Sequence, residues 1–264
     1  MTVPPKERSD AGPRLVTGDA GDAGNLTLDL WLWPLAVDGA RHAVLRGHLS
    51  PEERARAARF RVPEAGAAFV VGRGRMREVL AGYTGRAPAE VPLAQDRYGK
   101  PYLDEGAAGR GPSFNLSHAG GWAALVVGPH GLPLGLDIEP HRSVSETLPE
   151  RWLSPAERSE LAALPADQRI AGFFNAWTRK EALLKALGAG LSRPLDSFDV
   201  TLAPGRPARL TRLSGARADR WQLMAFELRA DFPACIALRH AGPVALSLRE
   251  GALPLPKSAA PARP

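Results

Sequence analysis

The chain has 264 residues, 34 basic and 28 acidic side chains for a net charge of +6, and 44% hydrophobic residues. That balance suits a packed core and excludes wholesale disorder, and a single cysteine, Cys235, excludes an internal disulfide and a cysteine-rich zinc site. No apolar run approaches the ~18 residues of a membrane helix, and the first 25 residues hold four acidic groups and no apolar stretch, so the reading is a cytoplasmic protein that spans no membrane.

Residues 1–25 and 251–264 are rich in Gly, Pro and small residues without periodicity and read as flexible tails around a body of 26–250. Residues 26–33 (LTLDLWLW) alternate as a half-buried strand does. Phe69, Val70, Met76, Val79 and Leu80 fall at helical spacing and predict a helix ending near Gly82. Residues 122–127 (WAALVV) and 134–138 (LGLDI) read as buried strands. Residues 167–187 predict a second long helix, with Phe173, Phe174, Trp177, Leu183, Leu184 and Leu187 on its apolar side. Residues 198–202, 221–228 and 234–239 read as further strands.

The chain repeats itself. LSPEER (49–54) recurs as LSPAER (153–158), each followed by a helix closed by glycine, then by VPLAQDRYGKPYL (91–103) or VTLAPGRPARL (200–210), then by apolar strands. Each LSPxER has a physical logic of its own: Ser50 and Ser154 cap the helix, Pro51 and Pro155 take its first position, and Glu53 and Glu157 complete a capping box. Agreement in order and spacing over four elements identifies a duplication. The expected fold is α+β, a pseudo-dimer of two similar α+β halves, 26–130 and 131–250, with the site in the cleft between them.

Several groups could carry chemistry. Asp137 and Glu139 in GLDIEP lie two residues apart, so a strand projects both from one face. Their mutual repulsion is relieved by a hard divalent cation, although a D-x-E at a strand end is also an ordinary solvated turn. In FFNAWTRKEALLKALG, Trp177, Glu181 and Lys185 share a helix face, either as a surface Glu–Lys pair or as a third metal carboxylate with a cation one turn away. In FNLSH, Ser117 and His118 are adjacent and so point to opposite faces of a strand, a poor nucleophile–base pair. RYGKP (97–101) presents Lys100 on a glycine turn. GRGRMR (72–77) lacks the third glycine of a phosphate loop and fits the amphipathic helix better.

In order, RYGKPYL, FNLSHAGGWA, GLDIEP and FFNAWTRKEALLKALGAGL together resemble the 4′-phosphopantetheinyl transferases of the Sfp type, over about Leu49 to Leu202. The resemblance implies a monomeric pseudo-dimer and an enzyme that moves the phosphopantetheine arm of coenzyme A onto a serine of an apo acyl or peptidyl carrier protein, releasing adenosine 3′,5′-bisphosphate. It implies Mg²⁺ as cofactor, with Asp137, Glu139 and Glu181 as its ligands, and Glu181 either as a ligand alone or also as the group accepting the serine proton, directly or through a water. Lys185 matches the lysine on the phosphates, Lys100, Ser117 and His118 match residues holding the coenzyme A phosphates, and Arg56 matches a basic residue near the nucleotide 3′-phosphate. The chain departs from the family at Glu53, where a second lysine is common, and at Ala68 and Phe69, where a basic and a small hydroxyl residue are usual. Arg54, Arg59 and Arg73 are the candidates to compensate.

Two other classes compete. The arginine surplus, six net positive charges within residues 41–86, would suit a nucleic-acid module, but no nucleic-acid motif accompanies it and the expectation is no nucleic-acid partner. A non-catalytic carrier-protein binder is disfavoured by the intact set Asp137, Glu139, Glu181 and Lys185.

Overall fold

The computed structural model describes residues 25–104, 111–144, 148–188, 193–229 and 231–250; the two tails, Asn25 apart, lie outside them. Strand β1 (Leu26–Pro34) leads through α1 (Gly39–Gly47), α2 (Pro51–Ala58) and α3 (Pro63–Thr84) to the hairpin β2 (Leu93–Gln95) and β3 (Pro101–Leu103), then to β4 (Ser113–Ala119) and β5 (Trp122–Gly128). The second series has the same order: β6 (Leu134–Ile138), α4 (Leu148–Trp152), α5 (Pro155–Ala163), α6 (Arg169–Leu187), the hairpin β7 (Phe198–Val200) and β8 (Leu210–Leu213), then β9 (Gln222–Arg229) and β10 (Phe232–Leu238). Sheet order repeats as well. In the first series β1 pairs with β5 and β5 with β4; in the second β6 pairs with β10 and β10 with β9, all antiparallel. The fold is α+β.

A last strand, β11 (Val244–Glu250), has no counterpart. It runs parallel to β1 from Leu26↔Val244 to Leu32↔Glu250 and makes β1 an interior strand. LTLDLWLW is therefore buried on both faces, not half-buried. Leu28 and Leu30 join a core shared with Leu134, Leu136, Ile138 and Ile236, so the two sheets pack face to face. Trp31 and Trp33 join a separate core under α3. A third core lies under α6, around Phe173, Phe174, Leu183 and Phe198.

The capping boxes form at both predicted sites. Ser50 and Ser154 accept from the amides of Glu53 and Glu157, whose carboxylates accept in return from the capping amides. Each of these glutamates then binds a cation of the long helix that follows. Glu157 takes Lys180 Nζ, with both side chains 2% exposed, and Glu53 takes Arg77 Nε at 2.8 Å. The predicted end of the first long helix moves: Gly82 is interior, and Gly85, with φ of 68°, closes it. The extra turn carries Tyr83, whose hydroxyl donates to buried Asp29 and accepts from Trp31 Nε1 at 3.1 Å. Among the described residues no helix is long and apolar enough to cross a membrane.

Candidate active site

The site is built where β4, β6 and α6 meet. The face of β6 opposite the shared core carries Gly135, Asp137 and Glu139. Helix α6 lies directly on Gly135. A Cβ there would come within 2.1 Å of the Ala182 carbonyl and 2.5 Å of the Ala186 amide, so no larger residue fits without moving the helix. That close approach delivers Lys185 to Asp137 Oδ1 at 2.7 Å, with further bonds from Lys185 Nζ to Leu136 O at 2.9 Å and Ser117 Oγ at 3.0 Å. Ser117 donates to the same Asp137 oxygen at 3.0 Å. Across the seam the buried Asn115 side chain accepts the Leu136 amide at 2.7 Å, locking β4 beside β6.

Glu139 and Glu181 both feel the charge of Asp137. Burial raises the pKa of Glu181 above the ordinary carboxylate range, and the charges of Asp137 and Glu139 add to the rise while Lys185 pulls the other way. Burial likewise raises Glu139, with Asp137 contributing, while Arg142 at 2.6 Å pulls the other way. As they stand, no three acidic, histidine or cysteine side chains among the described residues come together to hold a metal ion: Lys185 lies on Asp137 and Arg142 on Glu139. The donor set nevertheless suits a hard divalent cation. All three groups are oxygen ligands, and Asp137 Oδ2 is buried with no hydrogen-bond partner, an acceptor that a cation would satisfy.

Lys100 is not displayed on its turn. Its ammonium reaches inward to the carbonyls of Leu134 at 3.1 Å and Lys185 at 2.6 Å, and burial lowers its pKa. Ser117 and His118 lie on opposite sides of β4, Ser117 buried and His118 exposed. Trp177 packs against the core under α6 and on Trp152, with ring centroids 4.2 Å apart and planes tilted by 36°.

A separate cavity of about 510 Å³ lies between α2, α3 and β2, lined by Ser50, Arg56, Arg59, Phe69, Arg73 and Gln95 among others. Arg56 and Arg73 both lie over the Phe69 ring, at 5.2 and 5.6 Å. Arg54 turns away to the Leu49 carbonyl, so of the three compensating candidates Arg59 and Arg73 line this cavity. Glu53 is committed to its capping box and to Arg73 and Arg77. Sequence reasoning missed Arg142. Its position three residues beyond Glu139 was the available signal, since a turn after a strand brings such a pair together.

Residues 133–237 match the family described as the 4′-phosphopantetheinyl transferase superfamily, and residues 40–130 match the 4′-phosphopantetheinyl transferase N-terminal family. The chain is 37% identical over 225 residues to the 4′-phosphopantetheinyl transferase HetI of Nostoc sp., an alignment covering 83% of this chain and 91% of that protein. It is 32% identical over 154 residues to the 4′-phosphopantetheinyl transferase Sfp of Bacillus subtilis, covering 58% of this chain and 66% of that protein.

Proposed function

We propose a residue-level account that starts from one premise: the chain belongs to the 4′-phosphopantetheinyl transferase superfamily. It is an enzyme of that type, transferring phosphopantetheine from coenzyme A to a carrier protein. The observation that carries the account is the joining of Asp137, Lys185 and Ser117 at the seam of the two repeated units, with Glu139 and Glu181 near enough to feel the charge of Asp137. In this reading 26–130 and 131–250 are the two halves, and one chain completes one site, so a cytoplasmic monomer suffices.

Asp137, Glu139 and Glu181 would hold Mg²⁺, which when bound supplies positive charge against the pyrophosphate of coenzyme A. The remaining work falls to side chains. The carrier serine attacks the β-phosphorus, the bond from that phosphorus to the bridging oxygen breaks, and adenosine 3′,5′-bisphosphate leaves. Glu181, one helical turn from Lys185, accepts the serine proton. Lys185 lies one turn from Glu181 and donates to the charge building on the departing α-phosphate. Ser117 orients Lys185 and, with His118 and the remaining donor of Lys100, contacts the phosphates. Arg56, Arg59 and Arg73 around Phe69 take the nucleotide end, where an aromatic ring and guanidinium forks suit a base and a phosphate monoester.

The test is direct. Purified protein is mixed with coenzyme A, Mg²⁺ and a panel of apo acyl and peptidyl carriers, and carrier mass is read. One added phosphopantetheine on at least one carrier, lost with chelator, is expected. A panel left unmodified by folded enzyme, or transfer indifferent to chelation, would contradict the account.

A further inference from the structure

Two cations sit on the carboxylates, and only Lys185 has a role so far. Arg142 Nη1 donates to Glu139 Oε2 at 2.6 Å and reaches Pro140 O at 3.5 Å. Its side chain is 49% exposed, so it is not a core strut. Its guanidinium also lies 5.0 Å over the Phe174 ring, and His141 stacks on that same ring at 5.5 Å. The aromatic platform keeps the arginine at the mouth of the site whether or not Glu139 holds it.

Charge arithmetic gives this pairing a consequence. Asp137, Glu139 and Glu181 contribute −3, and Lys100, Lys185 and Arg142 contribute +3, for a sum of zero that offers a pyrophosphate no net attraction. A divalent cation on the carboxylates turns the sum to +2 and competes with Arg142 for Glu139. Resting on the metal reading above, we propose that Arg142 is an exchange cation: it neutralises Glu139 until a divalent cation takes that carboxylate, then turns its fork to the substrate's phosphates. Arginine suits the second task because its planar donors match phosphate oxygens two at a time. Metal and coenzyme A would then bind synergistically, with Arg142 carrying part of the coupling.

The experiment uses Mn²⁺, a paramagnetic probe that takes the same oxygen ligands. Its affinity is read by water proton relaxation without coenzyme A, and coenzyme A affinity is read by calorimetry in saturating Mn²⁺. For Arg142→Gln the proposal expects Mn²⁺ to bind about fivefold tighter and coenzyme A about fivefold weaker, the scale of one partly exposed ion pair. Arg142→Lys restores much of both. Opposite signs are the signature, because a merely structural role would weaken both. Unchanged or weakened Mn²⁺ binding, or unchanged coenzyme A binding, in a folded Arg142→Gln protein would overturn it. If wild-type protein bound Mn²⁺ no better than Glu181→Gln, the metal reading itself would be the one to fall.

Discussion

Glu78 and Glu181 occupy matching positions in two long helices, each one residue after the cation that binds a capping-box glutamate, yet they live in opposite electrostatic settings. Burial would raise the Glu78 carboxyl, but His48, Arg41 and Arg75 outweigh it and hold the pKa below the ordinary value. Glu181 has only Lys185, whose charge does not offset burial and the neighbouring carboxylates, and its pKa is raised. The strands beneath differ in step. Leu32 pairs with Ala124 as Ile138 pairs with Ala234, so Trp31 and Trp33 stand where the second series has Asp137 and Glu139, and Asp29 stands where it has Gly135. Gly82 matches Lys185. One copy of the repeat thus filled its acidic face with tryptophan, tied Asp29 to Tyr83 and neutralised its glutamate. The other carries carboxylates and a glycine that lets the helix close on them. A shared scaffold thus packs one copy with aromatic side chains and leaves the acidic face of the other in place.

The largest effects should fall on the acidic copy. Asp137→Ala or Glu181→Ala is expected to cut transfer by about a thousandfold or more, with the circular dichroism spectrum retained; substantial Mg²⁺-dependent turnover by either would remove the metal assignment. Lys185→Ala should lower turnover by about a hundredfold while coenzyme A affinity moves only a few-fold, because its charge matters most when the α-phosphate departs. A changed binding constant with unchanged turnover would reverse that assignment.

Stability separates the two glutamates next. Glu78→Gln takes a carboxylate from buried Arg75 and half-buried Arg41 and should cost about 2 kcal/mol at neutral pH, below a fully buried pair because Arg41 is partly exposed. The Glu78 contribution exists above its unfolded pKa and disappears as pH falls through its lowered folded value, so that deficit should close in acid. Glu181→Gln should instead raise the melting temperature at neutral pH, since the folded state there penalises the ionised carboxylate. Its advantage also vanishes in acid, once wild-type Glu181 is protonated in both states. The two melting curves should therefore approach wild type from opposite sides as pH falls, and a common sign would break the comparison. The smallest effect belongs to the nucleotide end. Arg59→Ala should weaken coenzyme A by about 1 kcal/mol and 3′-dephospho-coenzyme A less, whereas Arg54→Ala should leave both unchanged by calorimetry.

Much of this was legible before folding. A strand's period of two put Asp137 beside Glu139, helical spacing put Glu181 beside Lys185, and the twin LSPxER segments announced the repeat. What escaped depends on contacts between distant segments. Nothing local marks Gly135 as the point where α6 touches β6. Lys100 reads as a turn residue until the carbonyls of Leu134 and Lys185 are brought within reach. The Gly82 ending failed because glycine alone does not stop a helix that gains a buried Tyr83 from another turn. VALSLRE became a strand only by finding β1, and that pairing is what buries β1 on both faces.

The central claim is that one glutamate of the matched pair is chemical and the other structural. Wild type, Glu181→Gln and Glu78→Gln, each held at a temperature where it is folded, should be compared by the mass of an apo carrier after incubation with coenzyme A and Mg²⁺. The account predicts full transfer by wild type, near wild-type transfer by Glu78→Gln and none by Glu181→Gln. Transfer surviving in Glu181→Gln, or abolished in folded Glu78→Gln, would contradict it.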